Sequence, residues 1–241
     1  MKKTGKRKQL HSVLILFAVI GAVLVYCVSG MFYMHRNDFV YEDNLDEVFL
    51  TVDERTVTLR EFGYYIYEVE QFVNEQAIVY DASHPLEYWN KHFRTGHTGA
   101  FVSVLARDEA ISLCVCDIIY EEMALGEGYE LTQEQQQEAE EAADELYRKM
   151  SDWQLAQTGL TKEILRDIKC RKKLAAKFAK DYVKTIDFTG YEGYREELIS
   201  AGGAYYEKNI LSKHKVKCNK VIKKGLKFGR ITVNSQKSDK E

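Results

Sequence analysis

The first 34 residues divide into a short basic stretch and a long apolar one. Residues 1–9 carry five Lys and Arg side chains and no acid, and residues 10–34 contain no Asp, Glu, Lys or Arg. About 20 apolar residues cross the hydrocarbon core of a bilayer, whereas the apolar part of a cleavable signal peptide has about 7–15. We therefore predict an uncleaved transmembrane signal anchor over residues 10–34. Basic flanks stay inside, so residues 1–9 are expected in the cytoplasm.

After the apolar stretch the chain becomes polar and then β-rich. Residues 35–47 are polar and acidic and are interpreted as a linker. The stretch 48–52 is rich in β-branched residues and precedes the polar turn 53–55, so we predict a short strand there. Thr58 and Glu61 have the spacing of a capping box, in which the two side chains each bond to a backbone amide at a helix start. A helix is therefore predicted to begin directly after Thr58.

Apolar residues recur every three or four positions through most of the remaining chain, which predicts helices. The second helix has an apolar stripe from Phe101 to Leu125, and it is preceded by a short helical piece over 86–93 and a turn at 95–99. Thr132 and Thr161 are at positions that begin a third and a fourth helix. The first helix has its stripe at Phe62, Tyr65, Ile66, Val69, Phe72, Val73 and Tyr80.

The end of the chain contains an interrupted helical pattern and then returns to β-like residues. We predict a fifth helix over 191–213 and strands over 216–222 and 228–233. Because a strand stands at each end of the helical region, the first and last strands are expected to pair. The sequence thus predicts a mainly α fold: an N-terminal transmembrane helix, then a helical domain over 48–233 with short terminal β-strands. Residues 234–241 form a polar tail.

Composition and charge exclude several classes of protein. The chain has 15 Gly and 1 Pro, which excludes a collagen-like or Pro-rich chain. The formal net charge is −3, and since the first 34 residues contribute +5, the remainder has −3 − 5 = −8. A nucleic-acid-binding domain normally carries a basic face. We therefore expect no nucleic-acid partner.

The sequence contains no recognisable catalytic or metal-binding motif. His84, His92 and His97 fall around one loop, but no acid or Cys has a convincing position beside them to complete a site of three or four ligands. Adjacent Glu pairs on a helix point apart, and no nucleophile elbow, phosphate loop or dinucleotide fingerprint is present. We therefore predict no catalytic residue, no metal and no cofactor. Cys114, Cys116, Cys170 and Cys218 are interpreted as free thiols, although their spacing leaves pairing open.

Aromatic residues are the more informative feature. The chain has 16 Tyr, 11 Phe and 2 Trp, and several of them fall between residues 64 and 89. Tyr and Trp combine apolar area with a polar tip, which suits a surface that binds many peptides. Tyr64 and Tyr67 lie off the apolar stripe of the first helix. With Trp89, they are the predicted exposed peptide-binding face.

The order of these elements resembles the N-terminal domain of the SurA/PrsA family of extracytoplasmic chaperones. The stretch VFLTVDERTVTLREF over 48–62 is similar to the strand–turn–strand start of that domain. GYELTQE over 128–134, GLTKE over 159–163 and RKKLAAK over 171–177 are similar to the beginnings and bodies of its later helices. The resemblance extends over residues 48–182.

The resemblance implies a function and also a departure from the family. Complete members have a parvulin-type prolyl isomerase domain of roughly 90 residues after the fourth helix. Here only four residues, 187–190, separate the fourth helix from the next predicted one. What remains is the helical part, which in this family binds unfolded or partly folded polypeptides.

We therefore expect a non-enzymatic, chaperone-like protein in a bacterial cell membrane. It would span the membrane once, with residues 35–241 outside, and bind polypeptide clients. An envelope scaffold that binds one defined partner is the alternative, and an active prolyl isomerase is the third. A continuous apolar cleft would favour the chaperone, and a flat local patch would favour the scaffold.

Overall fold

A computed structural model of the chain describes residues 39–95 and 98–233, and this part is mainly helical. The predicted signal anchor at 10–34 and the tail at 234–241 lie outside the described residues. Within the described ranges, no helix is long and apolar enough to cross a membrane. In chain order the elements are β1 (Val48–Val52), β2 (Arg55–Thr58), α1 (Leu59–Tyr80), α2 (Pro85–Tyr88), β3 (His92–Thr95), β4 (Thr98–Phe101), α3 (Val102–Gly126), α4 (Gln133–Lys149), α5 (Asp152–Thr158), α6 (Lys162–Thr185), α7 (Arg195–Leu198), α8 (Ala204–Asn209), β5 (Val216–Cys218) and α9 (Lys220–Gly225).

The long helices begin where the capping residues predict. Thr132 accepts a hydrogen bond from the Gln135 amide, and the Gln135 side chain accepts one from the Thr132 amide, which completes the box at α4. At α1, Thr58 accepts from the Glu61 amide at 3.3 Å. The Glu61 side chain does not return to Thr58 but pairs with Arg171 on α6. The second half of the predicted box at α1 is therefore wrong, because a buried cation binds the carboxylate.

The two ends of the domain meet in one small antiparallel sheet. Its strand order is β2-β1-β5, with Leu50 opposite Cys218 in the pairing of β1 and β5. The predicted pairing of the two ends of the domain is confirmed, but the strand that pairs with β1 lies within the predicted strand 216–222 and not within the predicted strand 228–233. The last strand is shorter than predicted, since Asn219 caps α9 by accepting hydrogen bonds from the amides of Val221 and Ile222. The stretch 216–222 is thus half strand and half helix.

The segment that follows α9 is fixed by a buried carboxylate instead of a strand. Glu70 on α1 has no exposed surface. Its oxygens accept hydrogen bonds from the amides of Gly229 and Thr232, each at 2.5 Å, from the Thr232 hydroxyl at 2.7 Å and from the Ile231 amide at 3.4 Å. The predicted strand over 228–233 is wrong, because these amides donate to a side chain.

Three other predicted boundaries also differ. The helical piece predicted for 86–93 ends at Tyr88, and a β3–β4 hairpin follows it. The predicted fifth helix consists of the two short helices α7 and α8, separated near Gly202, whose φ of +75° cannot continue a helix. Tyr41 is buried and its hydroxyl donates to the Leu59 carbonyl. The domain therefore begins before residue 48, within the stretch interpreted as a linker.

A buried ion network holds α6 against α1 and α3. Arg171 is only 3% exposed. Its Nη1 lies 2.7 Å from Glu61 Oε1 on α1, and its Nε donates to Glu121 Oε2 on α3 at 2.9 Å. Arg55 adds a contact of 3.2 Å to Glu61. The network fixes the spacing between α1 and α3, the two helices that form the groove described next.

Candidate functional site

The three side chains predicted to form an exposed face are buried. Tyr64 is 0% exposed, Tyr67 is 6% exposed and Trp89 is 3% exposed. The prediction that these three side chains are exposed is therefore wrong. Their role in binding peptide stays a prediction, and the candidate site below consists of other residues.

Tyr64 is buried because α6 covers a second side of α1. The Tyr64 ring lies 4.9 Å from Lys169 Nζ and 5.4 Å from Lys172 Nζ, and it meets the Tyr65 ring edge-on at 5.1 Å. Its hydroxyl bonds to Glu68 and accepts from Lys169 Nζ at 2.9 Å. A single apolar stripe predicts one buried face, whereas this helix is covered on more than one.

Trp89 is buried beneath the C-terminal segment. A Cβ on Gly229 would come within 2.4 Å of the Trp89 ring, and Gly229 has φ +86°. This position therefore requires glycine both for its backbone conformation and for its close approach to the ring. Trp89 connects α2 to the segment that Glu70 anchors.

An apolar groove lies between the second half of α1 and the first half of α3. Its volume is about 610 Å³, which is within the usual range for ligand sites. Phe93 of the hairpin and Tyr88 of α2 also line it. The other apolar lining side chains come from the two helices: Val69, Phe72, Val73, Val102, Leu105, Ala106 and Leu113.

Large apolar side chains in this groove are exposed to solvent. Phe72 is 63% exposed, Leu105 is 49% exposed and Phe93 is 46% exposed. The rings of Tyr80 and Tyr88 lie 5.4 Å apart and those of Tyr88 and Phe93 lie 6.1 Å apart, which extends the aromatic surface along the groove. Contiguous exposed apolar surface of this kind marks interaction sites, whereas scattered single residues do not.

The groove arises because α6 covers the other halves of the two helices. Lys169, Arg171 and Lys172 of α6 contact residues 61, 64 and 68 of α1 and residues 117 and 121 of α3. The apolar stripe of α1 nevertheless continues past this contact to Phe72 and Tyr80. Sequence periodicity includes these residues in the predicted stripe but cannot indicate where the cover ends.

The charged side chains that line the groove are acidic. They are Glu68 and Glu109, and the groove has no basic residue among its described lining. Glu68 is paired with Lys169 at 3.5 Å and Lys172 at 3.3 Å. Glu109 is exposed and makes no ion pair with any described residue. The groove is therefore an apolar surface with a weakly acidic edge.

Among the residues that the structure describes, one group of possible metal ligands lies away from the groove. Asp53, Glu122 and His214 place their ligand atoms within 4.8 Å of one another. Hydrogen bonds from the Lys215 amide and from His214 lower the pKa of Asp53, while burial and the charge of Asp53 raise the pKa of Glu122. The hydrogen bonds of Asp53 join the β1–β2 turn to the two residues before β5, so the contact between Asp53 and His214 has a structural role. Of the predicted loop histidines, His84 and His92 are exposed, and His97 lies outside the described residues.

No protein-family model, curated protein or solved structure matches this chain.

Proposed function

We propose that this protein is a membrane-anchored, extracytoplasmic, chaperone-like protein that binds unfolded or partly folded polypeptides in the groove between α1 and α3. The observation that carries the proposal is the exposure of Phe72, Phe93 and Leu105 around one apolar groove of about 610 Å³. The resemblance of residues 48–182 to the SurA/PrsA family supports the chaperone-like function. The apolar stretch 10–34 supports the membrane anchor. An envelope scaffold with a single partner is the alternative.

The chemistry of the groove suits many clients. Burial of apolar surface is favourable and non-directional, so a groove of this kind accepts different apolar side chains. Unfolded chains expose such side chains and folded proteins bury them. The few polar groups in the lining provide little of the directional hydrogen bonding that would select one sequence. The groove would then select unfolded chains over folded ones because only unfolded chains expose their apolar side chains.

The proposal includes no prolyl isomerase activity. The chain between α6 and α7 runs only from Ile186 to Tyr194 in the structure. A catalytic domain does not fit in that connection. Prolyl isomerase activity is the third candidate function. It would require a catalytic cluster elsewhere in the chain.

Replacing Phe72, Phe93 and Leu105 together by Ala should weaken polypeptide binding at least tenfold. Each truncation of an interface anchor costs about 1–2 kcal/mol, and about 1.4 kcal/mol is a factor of ten in affinity. The measurement is fluorescence anisotropy of a labelled, reduced and alkylated test protein added to the full-length chain in lipid nanodiscs. Circular dichroism should be unchanged, because these side chains are exposed.

The matched control replaces three exposed apolar side chains outside the groove. Leu125, Tyr194 and Val221 are 57%, 75% and 80% exposed. Their triple Ala variant should bind the test protein as the unmodified chain does. Equal loss in both triple variants would show that binding is unspecific. Saturable binding to one envelope protein, with none to the alkylated test protein, would favour the scaffold.

A further inference from the structure

A second cavity differs from the groove in its charge. Its volume is about 450 Å³, and it lies between α2, the first turns of α3 and the segment after α9. The charged side chains in its lining are Arg107, Lys227 and Arg230, and no lining residue in the described chain is acidic. Asn90 and Ser103 add polar groups. The cavity is therefore basic, although residues 35–241 carry a formal net charge of −8.

The two arginines are arranged differently. Arg107 is largely buried, its side chain being 17% exposed. Its Nε donates to Asp108 Oδ1 at 3.2 Å, and its Nη1 donates to the Lys223 carbonyl at 3.3 Å. These contacts hold the guanidinium in place and use two of its five N–H groups. Arg230 is exposed and makes no ion pair within the described ranges. One fixed and one adjustable guanidinium therefore line the same cavity.

The wall of the cavity contains an unused hydrogen-bond donor. Trp89 is 3% exposed and lines the cavity. Its Nε1 is buried and has no acceptor in the described structure. Buried donors are normally paired, and an unpaired one requires an explanation.

We propose that this cavity binds an oxyanion, a phosphate or a carboxylate group, through Arg107 and Arg230. Planar guanidinium groups bind such oxygens through paired N–H donors, and these charge-assisted hydrogen bonds are stronger than neutral ones. The cavity is separate from the apolar groove, so the proposal does not depend on polypeptide binding. The phosphate can belong to a free anion or to a lipid headgroup, and the experiment distinguishes these sources.

Trp89 provides the signal for the test. The chain has two Trp residues, so replacing Trp153 by Phe leaves Trp89 as the only indole. Sodium phosphate is titrated into this full-length variant in lipid nanodiscs, with sodium chloride at equal ionic strength as the reference. We expect a saturable change in Trp89 emission below about 10 mM phosphate. No saturable change beyond the chloride reference, together with no Trp89 signal that depends on phosphatidylglycerol, would overturn the proposal.

The variant Arg230→Gln should weaken phosphate binding at least tenfold. Lys224→Gln is the matched control, because Lys224 is exposed on α9 and lies outside the described lining. It removes the same charge and should leave the midpoint unchanged. Arg107→Gln should also weaken binding. A midpoint unchanged by both arginine substitutions, or shifted equally by Lys224→Gln, would contradict the site.

A comparison of nanodiscs of two lipid compositions identifies the source of the phosphate. Nanodiscs are prepared with phosphatidylglycerol or with phosphatidylcholine alone, and the Trp89 signal is compared before phosphate is added. A signal that needs phosphatidylglycerol and is lost in Arg230→Gln assigns the site to a lipid headgroup. A signal that needs added phosphate in both lipids assigns it to a free anion. Both results support the site.

Discussion

Replacing Arg171 by Met should lower the free energy of unfolding by about 3–5 kcal/mol, the usual cost of breaking a buried ion pair from one side. Arg171 is 3% exposed and neutralises Glu61 and Glu121. Without it, two partly buried carboxylates of like charge keep only the more exposed Arg55 as a cationic partner, at 3.2 Å from Glu61 and 4.0 Å from Glu121. The measurement is urea denaturation followed by circular dichroism. Because the same residue fixes α1 against α3, the apolar groove should be lost with it.

The control for Arg171 is Arg166→Met on the same helix. Arg166 pairs with Asp144 at 2.9 Å, but these side chains are 40% and 33% exposed, much more than Arg171. Exposed pairs contribute only about 0–1 kcal/mol. Adding Glu61→Gln and Glu121→Gln to Arg171→Met should restore part of the lost stability, because the excess negative charge that Arg55 alone does not balance is then gone. Equal costs for Arg166 and Arg171 would contradict a dominant buried network.

Replacing Glu70 by Ala should detach the segment after α9 and lower the free energy of unfolding by about 3 kcal/mol. Its two oxygens accept four hydrogen bonds, three of them from backbone amides. An unsatisfied buried donor costs about 1–3 kcal/mol. Burial raises the pKa of Glu70, and the hydrogen bonds from residues 229–232 act against that rise. Global stability is measured by urea denaturation.

Hydrogen exchange shows whether the loss is at the expected place. The amides of Gly229, Ile231 and Thr232 should lose protection in the Glu70→Ala variant. Glu75→Ala is the control, because Glu75 is exposed on the same helix. An exposed substitution of this kind usually changes stability by no more than about 0.5 kcal/mol. Continued protection of the three amides in Glu70→Ala would mean that the carboxylate does not anchor the segment.

The elements that follow from local sequence could be predicted. Thr58, Thr132 and Thr161 all cap helices in the structure, because a cap depends on residues within one turn. The pairing of β1 with β5 followed from a strand at each end of one domain. The β3–β4 hairpin was missed because its strands have four residues each and lack the alternation that predicts strands.

The features that depend on distant partners could not be predicted. The segment 228–233 has β-like residues, but its amides bond to Glu70, about 160 positions earlier in the chain. Tyr64 lies off the apolar stripe and is buried because α6 covers it. Phe72 lies on the stripe and is exposed because the cover ends before it. Periodicity distinguishes the faces of a helix, but it does not indicate which stretch of each face another helix covers.

The most direct test of the central claim is photocrosslinking from inside the groove. A photoreactive phenylalanine analogue is placed at Phe93 or Leu105, and at Val221 as the exposed position outside the groove. The full-length chain in nanodiscs is then irradiated with a reduced and alkylated test protein, or with the same protein folded. The account predicts crosslinks from residues 93 and 105 to the unfolded form, few from residue 221, and few to the folded form. Equal yields from all three positions, or none from residues 93 and 105, would contradict the proposal that this groove binds unfolded polypeptides.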